Sequence, residues 1–361
     1  MTYDEISTPA VLVDRTRLLA NIRSMQGSCS THGVELRPHI KTHKMVPIAR
    51  EQLLAGARGL TCAKIGEAEA MLPSGVRSLF IAHSLVDLRQ ATRLAALSEQ
   101  LDDLRVAATS EAHIEPLNRL ASRVGRRLRV MMALDTGLGR EGARTSAAAV
   151  RMATAVSRCS HLELAGFYTH EGQFYGHSLE QHASKVASMV DFLCAVRAEI
   201  DPSLPLWPGC SVTARHLTTI SRGKIQAVRP GSYVFGDLSL SVRTKVMGFD
   251  EVALQVLATV VDKPEPGLAL IDAGSKTFSS DRTPENYSAI AADGRDVKVV
   301  RVNEEHGYLR GNDVDALQIG ERVAFVPAHV CTVVNLTDSV VVTAESRVVD
   351  RWRVDARGRV Q

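Results

Sequence analysis

The sequence predicts an α/β chain: a (β/α)8 barrel of the TIM type, then a mostly antiparallel C-terminal β domain that the N-terminal strand joins. Three observations carry this expectation. Short apolar runs alternate with longer helical patterns over about residues 35–230. The texture then changes to β-branched runs separated by turns, with no long amphipathic helix between them. The length, 361 residues, suits a barrel-sized domain plus a smaller one.

Residues 10–14, Ala-Val-Leu-Val-Asp, read as a strand. The run before Lys41 opens the barrel. Strand-like runs follow at 59–63, 78–82, 104–108, 128–134, 162–166, 204–207 and 225–228, which brings the set to about the eight strands that closure needs. Helical candidates with apolar residues at a spacing of three to four lie at 65–72, 87–98, 110–124, 145–157 and 179–199. Asp87 and Ser110 carry the side chains of N-caps. In the β domain the strand-like runs are 252–261, 268–272, 297–302, 322–326 and 339–343. The expected division is an N-terminal joining strand over residues 1–24, the barrel over 25–240 and the β domain over 241–361.

Composition narrows the function. Apolar residues make up 45% and charged residues 23%, the ordinary balance of a globular protein. The net charge is only +3, and the denser basic stretches at 123–129 and 347–359 alternate with apolar residues. They read as solvated faces, so no nucleic-acid partner is expected. No run approaches the roughly 18 apolar residues of a membrane span. The first residues lack the basic and apolar regions of a signal peptide. Six cysteines without paired spacing fit a reduced, cytoplasmic protein.

Two places stand out chemically. Lys41 follows a short strand, where barrels deliver functional side chains, and lies between His39 and His43 with Lys44 close by. A lysine nucleophile needs a partly neutral amine, which burial and neighbouring cations favour. Alone, this pattern leaves a nucleophile and a solvated lysine both open. In His329-Val-Cys331, residues i and i+2 of a strand would point the same way and offer an imidazole and a thiol, a donor set that suits Zn²⁺. A pair of core residues explains the spacing as well.

Seven segments carry a resemblance. They are Thr8-Pro-Ala-Val-Leu-Val-Asp14, Arg37-Pro-His-Ile-Lys-Thr-His-Lys44, Leu134-Asp-Thr-Gly-Leu-Gly-Arg-Glu-Gly142, Val228-Arg-Pro-Gly-Ser-Tyr-Val-Phe-Gly-Asp237, Ile271-Asp-Ala-Gly-Ser-Lys276, Glu304-Glu-His-Gly307 and Pro327-Ala-His-Val-Cys331. In this order they resemble the D-threonine aldolase/D-serine dehydratase family. The resemblance implies a pyridoxal 5′-phosphate (PLP) enzyme of fold type III, with an alanine-racemase-like barrel and a metal in the β domain. It makes Lys41 the Schiff-base lysine, sets His170 against the cofactor ring, and puts Arg140 near the cofactor. A core histidine and a salt bridge are the plainer readings of those last two. The phosphate would lie on two glycine loops after the last strands, Gly209, Ser211 and Thr213 in one and Gly231, Ser232 and Tyr233 in the other. His329 and Cys331 become the metal pair. His306 is a candidate at the substrate, with a surface turn as the alternative, and Asp272 either orients a neighbour or belongs to a turn.

The implied substrate is a D-β-hydroxy amino acid in a homodimeric lyase. A thiol partner leans the reading towards a zinc dehydratase acting on D-serine or a 3-hydroxy-D-aspartate. Cleavage to glycine and aldehyde, with Mn²⁺ or Mg²⁺, is the alternative; a racemase or a non-catalytic PLP-binding protein stands further off. Two places depart from the family pattern. His170-Glu-Gly-Gln173 stands where Tyr-x-Gly-His is common, and Gln226 where an acid is.

Overall fold

The computed structural model describes residues 5–176, 179–220 and 223–361. Its contacts divide the chain into two compact units. One comprises Met1–Ile22, Thr42–Met45 and Ser232–Gly358, and the other Arg23–Lys41, Val46–Gly231 and Arg359–Gln361. The chain opens with β1 (Ala10–Asp14) and α1 (Arg15–Thr31).

The second unit is the barrel. It starts with β2 (Glu35–Leu36) and continues through β3 (Leu60–Cys62), β4 (Ser78–Ser84), β5 (Asp103–Ala108), β6 (Leu128–Ala133), β7 (Leu162–Tyr168), β8 (Leu206–Trp207) and β9 (Ala227–Val228). Among the described residues, β3 to β8 form a six-stranded parallel sheet in chain order, and β2 pairs with β9 in parallel. Backbone contacts join the two sheets. The Gln226 N–H donates to the Leu206 carbonyl at 3.1 Å, and the Thr61 N–H to the Pro38 carbonyl at 2.8 Å beside a His39–Thr61 bridge. The strands therefore close on themselves, as the alternating pattern predicts.

Helices α2 (Val46–Leu54), α3 (Ile65–Met71), α4 (Ala91–Gln100), α5 (Glu111–Val124), α6 (Ser146–Ser157), α7 (Leu179–Ile200) and α8 (Ala214–Ile220) separate the strands. Ser110 caps α5 by accepting the His113 N–H, and Thr145 caps α6 by accepting that of Ala148. Such caps contribute about 1 kcal/mol each. Asp87 also caps, but it caps the short turn Leu88–Gln90 ahead of α4. The barrel interior is filled by side chains: Phe80, Met131, Tyr168 and Trp207 interdigitate with Ala107, Ala133, Ala165 and Ala227. Small residues facing large ones let the rings meet edge to face, Phe80 lying 5.0 Å from Tyr168 and 6.0 Å from Trp207.

The first unit holds β10 (Leu254–Glu265), β11 (Leu268–Ile271), α9 (Ser275–Phe278), β12 (Ala289–Ala291), β13 (Lys298–Val302), β14 (Gly307–Arg310), β15 (Arg322–Pro327), α10 (Val330–Leu336), β16 (Ser339–Ala344) and β17 (Arg347–Arg353). Its sheet runs β11-β14-β13-β12-β15-β10-β1-β16-β17, and β10 also pairs with β11. That extra pairing closes the first part of the sheet. β10 serves both sides because it is 12 residues long; it pairs with β15 and β1 early and with β11 late. As expected, the N-terminal strand β1 joins this sheet, antiparallel to β10 and parallel to β16. Among the described residues, no helix is long and apolar enough to cross a membrane.

Candidate active site and metal pair

Lys41 lies in the turn Ile40–Thr42 just beyond β2. Ile40 is fully buried and pins the turn, while Lys41 is half-buried at the carboxyl ends of the barrel strands. His170 stands two residues past the end of β7. Burial, followed by the charges of Lys41, Arg229 and Arg140, pushes its imidazole down to about 3. The ring is therefore neutral at physiological pH, a flat uncharged surface.

Arg229, which sequence reasoning passed over, follows β9 and is 4% exposed. Its Nε donates to the Trp207 carbonyl at 3.1 Å, and another guanidinium nitrogen donates to the Thr169 carbonyl. The guanidinium lies 5.0 Å from the centre of the Tyr168 ring. Beside it, the buried Tyr168 hydroxyl has no hydrogen-bond partner among the described residues.

The two predicted glycine loops come together. Ser211 Oγ accepts the Gly231 N–H at 3.1 Å. Gly209 has φ +117°, and a Cβ there would sit 2.8 Å from Val228 Cβ and 2.9 Å from the Arg229 nitrogen, so only glycine fits. Glu171 organises this loop. One carboxylate oxygen accepts the Cys210 N–H at 2.7 Å and the Thr213 hydroxyl, and the other is buried without a partner among the described residues. Thr213 thus holds the loop in shape through Glu171. Ser232 and Tyr233 are buried in the next turn, Ser232–Val234.

Arg140 lies in the loop between β6 and α6, its side chain 55% exposed and 3.3 Å from Glu141. It lines a small depression with Leu134, Asp135, Tyr168 and His170. Asp135 shapes this loop by accepting the N–H groups of Gly137 and Gly139 and the Arg144 Nε. Gln226, one of the departures from the family pattern, accepts the Leu206 N–H at 2.8 Å and so supports β8. Gln173, the other, donates to the Thr136 carbonyl at 2.9 Å.

In the first unit, His329 and Cys331 do come together, but not on a strand. β15 ends at Pro327, His329 is the extended residue that caps α10, and Cys331 lies in the first turn of that helix. The imidazole is raised to about 10, first by its hydrogen bond to Cys331 and then, against burial, by Asp237 and Asp281. Asp281 Oδ2 is 2.7 Å from His329 Nδ1, which leaves Nε2 as the nitrogen that could hold a metal. Thr332 donates to the same carboxylate at 3.1 Å. Asp237, 2% exposed, accepts the Val330 N–H at 3.3 Å and anchors the start of α10. The Thr42 hydroxyl lies 3.2 Å from Cys331 Sγ.

His306 sits in the exposed turn between β13 and β14. Asp272 accepts the Thr8 hydroxyl and the Thr259 N–H, which ties the N-terminal segment to β10. Among the described residues, no group of three or more His, Cys, Asp and Glu is arranged to hold a metal. Two protein ligands, with water or substrate completing the shell, is what this pair offers. None of the six cysteines is in a disulfide.

Both donor sets fit the groups the fold implies. For PLP there is an amine at a strand end, a glycine loop with no room for a Cβ, a buried guanidinium, and buried oxygens without partners. For a metal there is an imidazole oriented by a carboxylate, next to a thiol.

Residues 13–239 match the alanine racemase N-terminal domain, and residues 253–343 match a serine dehydratase domain. The chain is 27% identical to a D-threonine aldolase of Arthrobacter, over 98% of this chain and 93% of that protein. It is 30% identical to the D-threo-3-hydroxyaspartate dehydratase of Delftia, over 90% of this chain and 91% of that one. The crystal structure of D-threonine aldolase from Filomicrobium marinum superposes with a TM-score of 0.89 at 26% identity, covering 100% of this chain and 98% of that one. Fold and matched domains define a lyase built on the alanine racemase barrel. The chain belongs to the D-threonine aldolase/D-serine dehydratase family.

Proposed function

We propose that this protein is a PLP- and zinc-dependent dehydratase of D-β-hydroxy amino acids. The observation that carries the choice of dehydratase is the imidazole–thiol pair of His329 and Cys331 with Asp281 on Nδ1. It is a donor set for zinc, and the resemblance associates a thiol at this position with loss of the β-hydroxyl. When bound, PLP supplies a sink for the electrons left at Cα, and the metal a Lewis acid for the hydroxyl.

The chain's own residues do the rest. Lys41 holds the cofactor and, once released, takes the α-proton on its Nζ. The Gly209 and Gly231 loops offer backbone N–H groups to the phosphate, and Glu171 keeps the first loop in shape. The neutral ring of His170 offers a flat face to the cofactor, and Arg140 and Arg229 contribute positive charge around it. His329 and Cys331 hold the metal. The net reaction removes water from the substrate and then hydrolyses the unsaturated amine to a keto acid and ammonia. A cytoplasmic homodimer belongs to the same reading.

The test is incubation of zinc-loaded holoenzyme with D-serine, D-threonine and 3-hydroxy-D-aspartate. Keto acid and ammonia in equal amounts are expected. Glycine and aldehyde as the main products would replace this reading with retro-aldol cleavage.

A further inference from the structure

A second polar cluster lies on the barrel. Lys64 follows β3 and His83 lies near the end of β4, both at the carboxyl ends of the strands. These strands are next in line from β2, which carries Lys41: β2 meets β3 at the His39–Thr61 bridge, and β3 pairs with β4 through Cys62 and Ile81. Neighbouring strands lie about 4.8 Å apart, so the cluster is one to two strand spacings along the ring from the strand carrying Lys41.

Lys64 Nζ is 2.8 Å from His83 Nε2. Both line a cavity of 510 Å³ together with Ser84, Asp87, Arg89, Arg93 and the last residue, Gln361. The two arginines are already paired. Arg93 makes two hydrogen bonds of 2.7 Å to Glu69, and Arg89 binds Asp87 at 2.9 Å. Lys64 has no carboxylate partner among the described residues. Burial and the Lys64 charge lower the pKa of His83, with Arg140 adding to the effect and Glu141 opposing it. The imidazole therefore accepts one proton of the ammonium, and Lys64 keeps two N–H donors for the cavity. A lone half-buried cation beside an open cavity is an arrangement that a carboxylate completes.

We propose that Lys64 and His83 form a subsite for a second carboxylate, so that the preferred substrate is a dicarboxylic β-hydroxy amino acid. This rests on the lyase reading above and narrows it. Lys64 supplies the charge, and His83 fixes the direction of its ammonium. D-serine and D-threonine leave the subsite empty.

The experiment compares kcat and KM of the holoenzyme on 3-hydroxy-D-aspartate and D-serine for wild type, Lys64→Gln and Lys64→Arg. Wild type should favour the dicarboxylate in kcat/KM. Lys64→Gln should lose about tenfold to a hundredfold on it, mostly through KM, and far less on D-serine, while Lys64→Arg recovers part of the loss. Equal losses on both substrates, or a wild-type preference for D-serine, would overturn the subsite. If Lys64→Gln does not fold, His83→Gln must show the same selective loss or the subsite fails. Calorimetric titration with D-aspartate and D-alanine separates this proposal from the lyase reading. Tighter D-aspartate binding that Lys64→Gln removes supports the subsite even where no product forms, and equal affinities refute it.

Discussion

Around the amino ends of β4, β5 and β6, polar groups are matched. The Trp207 ring lies between two guanidiniums, Arg37 at 4.2 Å and Arg105 at 4.4 Å. Arg105 donates to Asp103 and to the Ala165 carbonyl, and Arg37 to Glu35 and Ser78. Asp103 also takes Arg129 and the Ser78 hydroxyl. At the carboxyl ends the same kinds of group are left incomplete. Among the described residues, the Tyr168 hydroxyl and one Glu171 oxygen have no partner, His170 is neutral, and Lys64 has no counter-ion. One end spends its polar groups on closing the barrel, and the other keeps them for something that must bind. This division is the general one for such barrels, stability at one end and chemistry at the other.

The sharpest way to break this contrast is Lys41→Ala. It should abolish turnover and the visible absorbance of bound cofactor while leaving the unfolding transition nearly unchanged. A variant that keeps the absorbance band would show that another amine holds the cofactor. The opposite profile is expected of Arg105→Ala. It leaves Asp103 short of a partner and uncovers Trp207, at a cost of about 3–5 kcal/mol. Urea unfolding should show the loss, while cofactor affinity below the transition stays at the wild-type level. A large fall in cofactor affinity with no change in stability would mean that the two ends are not separate in function.

How far the sequence could be read follows the range of each interaction. The alternation of strand and helix, the caps Ser110 and Asp87, and the joining strand β1 are written in residues close together, and they were legible. Lys41 stood out because its motif is contiguous. Glu171, Arg229 and Asp281 did not, because each acts on a residue far along the chain. Glu171 and Cys210 are 39 positions apart, Asp281 and His329 are 48, and Arg229 and Thr169 are 60. The strand reading of His329 and Cys331 failed for a related reason. The β-branched run of β15 leads straight into them, and no local side chain caps the helix that begins there. The cap is the buried carboxylate of Asp237, 93 positions away. The short strands β12 and β14 and the exposed strand β17 were also missed, since three or four residues give little periodicity and β17 is polar on most of its length.

The smallest expected effect concerns acid. His170 is pushed down to about 3, chiefly by burial, and burial also lowers His83 and His113. An unfolded histidine takes up its proton near pH 6.5. Between that pH and the folded value, the unfolded chain binds more protons than the folded one, so stability rises with pH. The full contribution is present above about pH 6.5, and it is lost progressively as the pH falls below that. The paired carboxylate Asp103 titrates only at still lower pH, because Arg105 and Arg129, against the cost of burial, hold it below its ordinary range. Thermal unfolding between pH 7.5 and pH 5 should therefore show a fall of a few degrees from the carboxyl-end histidines, offset in part by His329, whose raised imidazole works in the opposite sense above about pH 6.5. His170→Phe, which keeps a flat ring but removes the titration, should make that fall shallower. If the variant loses stability with acid as steeply as wild type, His170 is not the neutral, buried group on which the contrast between the two ends partly rests.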